Sequence, residues 1–168
     1  MIKVTAFAAL YEGDPFGRPD MRASMLSTAA KEYYEVCHLL HQAGRSGRWR
    51  FNVMVPALQQ SLELLVKSVA VWTIRGFDPK RYGHRILDVV DAHAKTVPVF
   101  KNLSLAPEVR ELLAQLTDGY FAVRYGEAHV SYDDETWRLF CAVAEQLLAA
   151  ARTACDTYQP PNPQTDSG

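Results

Sequence analysis

The clearest structural signal in this sequence is the stretch VPALQQSLELLVKSVAVW at residues 55–72. Its apolar residues recur at alternating spacings of three and four, the period of one face of an α-helix. They are Val55, Leu58, Leu62, Leu65, Val69 and Trp72. This seam predicts a long helix, with Pro56 in its first turn, that packs against a partner helix along its whole length. Because Glu63 and Lys67 lie four residues apart, we expect them to pair on the helix surface.

A second long helix is predicted on the N-terminal side of this stretch. It begins with Asp20 as N-cap and runs to about Ala43, where Gly44 ends it. Apolar residues at helical spacing define its expected buried face. They are Met25, Ala29, Tyr33, Val36 and Leu40.

Three further helices are predicted on the C-terminal side. The third helix begins at His84, which we expect to cap it, runs to about Thr96 and is closed by Pro98. Pro107 opens a fourth helix that runs into Arg124. The fifth helix follows a group of capping residues, Ser131, Asp133 and Asp134. Because no strand-like alternation is longer than a few residues, the sequence predicts an all-α fold, a single up-and-down helical bundle of about five helices.

The composition is that of an average globular domain. The chain has 168 residues, of which 48% are hydrophobic and 22% charged, with a formal net charge of -1. These values exclude intrinsic disorder, a collagen-like fibre and a highly basic nucleic-acid-coating protein, but not a binder of one particular RNA. We expect one domain, with an N-terminal arm at residues 1–19, the bundle at 20–158 and a disordered tail at 159–168.

The cysteines indicate a reducing compartment. The three residues, Cys37, Cys141 and Cys155, form no C-x-x-C pair, and an odd number argues against a secreted disulfide framework. Cys141 and Cys155 would lie about 21 Å apart on one helix, which is too far for a bridge. We therefore expect three buried thiols in a cytoplasmic protein. No segment reaches the ~18–20 uninterrupted apolar residues of a membrane-spanning helix, so no contact with a membrane is expected.

No cofactor or metal ion is predicted. The sequence has no Walker loop, G-x-G-x-x-G, G-x-S-x-G or H-E-x-x-H motif. Cys37, His38 and His41 could offer local ligands, but no further Cys/His pair is spaced to complete a zinc site. We interpret them as polar residues on a helix surface.

Two basic loops are candidate phosphate-binding segments. The first carries Arg45, Arg48 and Arg50 around a tryptophan, and the second carries Lys80 and Arg81. Arginine side chains match phosphate oxygens in geometry, and an adjacent aromatic ring can stack on a base. Solvated loops without a ligand are the alternative.

A third candidate is the segment Tyr120-Phe121-Ala122-Val123-Arg124-Tyr125-Gly126-Glu127-Ala128-His129. On an ideal helix Arg124 and His129 would point about 140° apart, but Gly126 allows a helix end that could bring them together. From the residues alone, a structural salt bridge for Arg124 and a loop or capping role for His129 stay open.

Four segments in order resemble the HEPN family (higher eukaryotes and prokaryotes nucleotide-binding), over most of residues 22–155. Residues 29–36 are similar to its opening helix, and residues 57–67 to its Q-x-x-E-x-x-x-K helix. Gly83-His84-Arg85-Ile86-Leu87-Asp88 is similar to its Gly-His-x-Leu element. Tyr120 through Glu127 resembles its Y-x-x-x-R-Y-P/G segment, which is followed by a long final helix.

The resemblance implies a bundle that commonly forms a homodimer and takes RNA or a nucleotide as ligand. Arg124 and His129 fit the R-x4-6-H motif of metal-independent endoribonucleases in this family, some of them toxins paired with a nucleotidyltransferase. Tyr125 follows the arginine, Glu127 could orient the histidine, and Tyr132 is the nearest candidate for the tyrosine that the partner modifies. The alternative that the resemblance implies is a non-catalytic adaptor or nucleotide-binding module that docks such a partner.

Overall fold

The computed structural model describes residues 19–45, 51–125 and 132–158. This part of the chain contains six α-helices and no β-strand. The helices are α1 (Pro19–Arg45), α2 (Phe51–Thr73), α3 (Ile86–His93), α4 (Pro98–Leu105), α5 (Pro107–Arg124) and α6 (Asp134–Thr157). The predicted all-α bundle is therefore confirmed. Apart from Pro19, which begins α1, the predicted arm and tail lie outside the described residues.

Helix α2 is the centre of the bundle, packed against α1, α3, α5 and α6. The predicted seam is buried, and Leu62 and Leu65 have no exposed surface. Because neighbours surround the helix, its polar side chains are buried as well, and they include Glu63 and Lys67. Glu63 and Lys67 do pair as expected, but they are buried among neighbouring helices and do not lie on the surface. Pro56 also lies deeper in the helix than predicted, since α2 begins at Phe51.

Helix α1 buries a different face from the predicted one. Small residues meet α2 here, and Ala23, Ala30 and Cys37 are fully buried. They let the two backbones approach so closely that serine hydroxyls of α2 donate hydrogen bonds to α1 carbonyls, at 3.1 Å to Ala30 and 2.9 Å to Ala23. Of the larger residues of the predicted face, Leu40 packs against the core and the other three are exposed. Met25, Tyr33 and Val36 each keep about two-fifths of their surface in solvent.

The segment predicted as one third helix contains two. Helix α3 ends at His93, and Pro98 does not close a helix but opens α4, where its missing N–H costs no hydrogen bond. The residue at the N-cap of α3 is Arg85. His84 lies one residue earlier, and its side chain contacts α2 rather than capping α3.

The last two helices begin as predicted. Helix α5 starts at Pro107, and α6 is capped by Asp133, whose carboxylate accepts a 2.8 Å hydrogen bond from the Thr136 N–H. This bond lowers the pKa of the Asp133 carboxyl. In the described ranges, no helix has both the length and the apolar character needed to cross a bilayer.

The cysteines are free thiols, but they are not all buried as expected. Cys37 is buried, Cys141 is half-buried and Cys155 is exposed. Burial is the main cause that raises the pKa of the Cys37 thiol to about 12, so it is inert as a nucleophile.

Candidate functional site

A buried polar cluster on α2 organises the candidate site. We call it the Glu63 cluster: Gln59, Glu63 and Lys67 of α2 with His84 of the following loop. Lys67 Nζ lies 2.6 Å from Glu63 Oε1, while Gln59 Nε2 and His84 Nδ1 lie 2.8 and 2.9 Å from Oε2. The side chains of Glu63 and Lys67 are only 6% and 10% exposed. Because donors converge on both of its oxygens, the Glu63 carboxylate is an ionised acceptor.

The Glu63 cluster also fixes the loop between α2 and α3. Lys67 Nζ donates to the carbonyl of Gly83 at 2.6 Å, and Gln59 Nε2 donates to the carbonyl of His84 at 3.0 Å. Gly83 has a positive φ of 55°, a conformation that glycine adopts without strain. These contacts place His84 at one position over α2.

The imidazole of His84 joins the Glu63 cluster to α5. Its ring lies 5.1 Å from the ring of Tyr120 and 6.1 Å from that of Phe121, measured between centroids. The side chain is 38% exposed. Nε2 makes no hydrogen bond within the described part of the chain. Every buried side-chain nitrogen or oxygen in that part has a hydrogen-bond partner, so Nε2 is not a buried atom. The Nε2 edge of the ring is therefore open to solvent.

Arg124 lies beside the same tyrosine, in the last turn of α5. Its Nη1 donates a 2.8 Å hydrogen bond to the Tyr120 hydroxyl, and its guanidinium carbon lies 5.8 Å from the Tyr120 ring centroid. A cation at this position is also favoured by the helix dipole. Among the residues the structure describes, no carboxylate pairs with this guanidinium. Within the described ranges, its charge is therefore not neutralised by an acid.

Two exposed aromatic rings extend this surface. Phe121 is 37% exposed, and Tyr125, the C-cap of α5, is 67% exposed. We call the surface formed by His84, Phe121, Arg124 and Tyr125 around Tyr120 the Arg124 face. It combines a cation, an imidazole and two ring surfaces, the groups that contact phosphates and bases in nucleotide complexes.

The predicted basic residues fall in different places. Lys80 and Arg81 are exposed on the turns before the Gly83 turn, where the N–H of Lys80 donates to the carboxylate of Asp78. The Arg81 guanidinium lies over the ring of Tyr82. The pKa of His93 is lowered mainly by burial and to a smaller extent by the charge of Arg81. For Arg45 the structure gives only its place at the end of α1. The other predicted site residues outside the described ranges are Arg48, Arg50, Glu127 and His129.

Tyr132 contacts the end of α1 and the start of α6. Its hydroxyl lies 3.2 Å from His41 Nδ1, and burial raises its pKa. His41 is buried and stacks on Trp137 at 4.1 Å, so it is not the surface residue that the sequence suggested. The described residues there line a cavity of about 380 Å³: His38, His41, Gln42, Asp134, Trp137 and Arg138.

In this all-α protein the central helix holds His84 beside Tyr120, whose hydroxyl accepts a hydrogen bond from Arg124. The family model described as HEPN domain matches residues 23–154, and the chain belongs to the HEPN family. Comparisons with curated proteins and with solved structures gave no match. Family membership supports a nucleotide- or RNA-related function in general.

Sequence reasoning missed three of these residues as parts of a site. Gln59, Glu63 and Lys67 were recognised only as positions of a helix motif, and their spacing of four also fits a surface pair. The signal that could have found them is the apolar character of most of α2, which is wide enough to imply neighbours on more than one side. A charged pair inside such a helix is buried, and a buried charged pair has to serve a specific contact.

Proposed function

We propose that this protein binds RNA or a nucleotide at the Arg124 face. The observation that carries the proposal is that the Arg124 guanidinium has only a neutral partner, the Tyr120 hydroxyl, within the described residues. A phosphate can then add charge-assisted hydrogen bonds without displacing an acid. The exposed ring of Tyr125 offers a surface on which a base can stack.

We further propose that the protein is a metal-independent endoribonuclease of the toxin or defence type. In this reaction the ribose 2′-hydroxyl attacks the adjacent phosphorus, the bond to the 5′-oxygen breaks and a 2′,3′-cyclic phosphate remains. One group must take the proton of the 2′-hydroxyl and another must protonate the leaving oxygen. His129 is suited to either role near neutral pH, and Arg124 would offset the charge that builds up on phosphorus.

A homodimer would supply both proton-transfer groups. Each chain carries one R-x4-H motif, and a symmetric pair presents two histidines to one groove. This arrangement requires Arg124 and His129 of both copies to face the same ribose-phosphate backbone in a cytoplasmic dimer.

The second candidate function is a non-catalytic adaptor that docks a partner such as a nucleotidyltransferase. It is favoured by the exposed apolar stripe of α1, which consists of Met25, Tyr33, Val36 and Leu39. Apolar patches of this kind occur at protein interfaces. An adaptor with this stripe needs no cleavage chemistry at Arg124.

Incubation of the purified protein with mixed RNA in the presence of EDTA tests the enzyme proposal. We expect cleavage products ending in 2′,3′-cyclic phosphate, and a loss of at least about 100-fold in rate for Arg124→Ala and for His129→Ala. Arg110→Ala is the matched control, because Arg110 lies in the same helix as Arg124 and pairs with Asp91 away from the Arg124 face. Cleavage that survives both substitutions, or no cleavage by any preparation, would remove the enzyme proposal and leave the adaptor.

A further inference from the structure

The imidazole of His84 belongs to both the Glu63 cluster and the Arg124 face, and the proposed function gives it no role. We infer that His84 is a second phosphate ligand of this face and that it takes up a proton when phosphate binds. This inference rests on the proposed function, since it needs a phosphate ligand at Arg124. It concerns a histidine other than the one in the R-x4-H motif.

The hydrogen bond to Glu63 determines which nitrogen carries the proton. An ionised carboxylate can only accept, so Nδ1 of His84 donates the 2.9 Å bond to Oε2. In the neutral imidazole Nε2 then has no hydrogen. Since Nε2 is the edge open to solvent, a neutral His84 presents a lone pair to an incoming phosphate and repels it. Protonation converts Nε2 into a donor.

Charged groups around His84 act in both directions on this proton, and a bound phosphate adds to those that favour it. From α2, Glu63 favours the charged imidazole, but Lys67 lies on the same carboxylate and offsets it. From α5, Arg124 lies near the same Tyr120 ring as His84 and opposes a second cation there. On the chain next to His84, the exposed Arg85 acts in the same direction. A bound phosphate brings negative charge to His84 and Arg124 together, so it stabilises the imidazolium.

The geometry allows one ligand to contact both groups. The His84 ring lies 5.1 Å from the Tyr120 ring, measured between centroids, and the Arg124 guanidinium carbon lies 5.8 Å from the same Tyr120 centroid. An RNA chain or a nucleotide polyphosphate offers several phosphate oxygens along its length. The shared chemistry of the ligand is therefore phosphate, carried by RNA or by a free nucleotide.

Isothermal titration calorimetry in buffers of different ionisation heat counts the protons exchanged on binding. The probe is a short single-stranded RNA with 2′-O-methyl riboses and no terminal phosphate. It cannot be cleaved through a 2′-hydroxyl, and its phosphodiesters do not titrate near neutral pH, so any proton enters the protein. Adenosine diphosphate, in the same buffers, tests the free nucleotide as the source of phosphate. We expect the wild type to take up close to one proton at about pH 7.5 and to lose affinity up to about tenfold per pH unit as pH rises.

Substitutions assign the proton to His84. His84→Gln should bind more weakly and take up none, while Glu63→Gln should show a reduced uptake because the anion is gone. His93→Gln is the matched control, since His93 contacts Tyr82 on the far side of the loop. It should retain the proton uptake of the wild type. If His84→Gln does not fold, proton NMR of the wild-type His84 ring should show its pKa rising when RNA binds.

The outcomes separate this inference from the proposed function. RNA or nucleotide binding without proton uptake, or the same uptake in His84→Gln and wild type, would overturn the role of His84 and leave binding at Arg124 intact. In the NMR experiment, a His84 pKa that RNA does not raise would overturn it equally. A wild type that binds neither ligand would overturn the proposed function and this inference together.

Discussion

Glu63 is the residue on which the geometry of the site depends. It accepts hydrogen bonds from Gln59 and Lys67 on its own helix and from His84 on the loop. Removing one partner of a buried ion pair leaves the other charge without compensation, which costs far more than an exposed pair is worth. The burial of Glu63 is therefore what makes the loop geometry stable.

Glu63→Ala should lower the free energy of unfolding by about 3–5 kcal/mol, because it leaves the buried Lys67 ammonium unpaired. Urea denaturation measures this loss. The double variant Glu63→Leu with Lys67→Met should lose much less, since it removes both charges and keeps the volume. The matched control is Glu35→Ala, which breaks the exposed i,i+4 pair with Lys31 and should cost at most about 0.5 kcal/mol. Equal losses at Glu63 and Glu35 would contradict the burial.

At the scale of the helices, the buried face of α1 is determined by the close approach of its backbone to α2 rather than by the size of its apolar residues. A sequence pattern gives weight to Met25, Tyr33 and Val36, because large side chains dominate any apolar stripe. The structure instead places Ala30 against α2, where a serine hydroxyl reaches its carbonyl. The stripe of large residues is left for solvent or for a partner.

Ala30→Leu should destabilise the protein by about 1–3 kcal/mol, because no space is left between α1 and α2 for three more carbon atoms. The neighbouring Ala29→Leu is the control, since Ala29 is half-buried and belongs to the predicted face. It should change the free energy of unfolding by no more than about 0.5 kcal/mol. Thermal and urea unfolding of both variants measure these changes in the free energy of unfolding. A larger loss for Ala29→Leu would favour the predicted face.

The helices of the bundle could be predicted from sequence because apolar periodicity and capping chemistry act over a few residues. The seam of α2, Pro107 and the Asp133 cap were identified in this way. The boundary at Pro98 could not be, since the same proline can close one helix or open the next.

The candidate site was only partly predictable, because it depends on contacts between distant segments. Arg124 and Tyr125 could be proposed from their own short stretch of sequence. Glu63 and His84 are 21 positions apart in the sequence, and their hydrogen bond forms only when the loop folds over α2. Spacing along one helix cannot reveal such a contact.

The near-zero net charge of the whole molecule has a functional consequence. A formal net charge of -1 provides little long-range attraction for RNA. The proposed binding then depends on a local arrangement of cation, imidazole and aromatic rings rather than on a broad basic surface. The Arg124 face is such an arrangement.

A nitrogen-15 NMR titration with a short single-stranded RNA tests most directly whether the Arg124 face is the phosphate site. We expect the largest amide shifts at residues 83–85 and 120–125, and we expect Arg124→Ala to remove them. Shifts confined to the basic turns at residues 78–81 or to the cavity beside Trp137, with residues 120–125 unchanged, would contradict it.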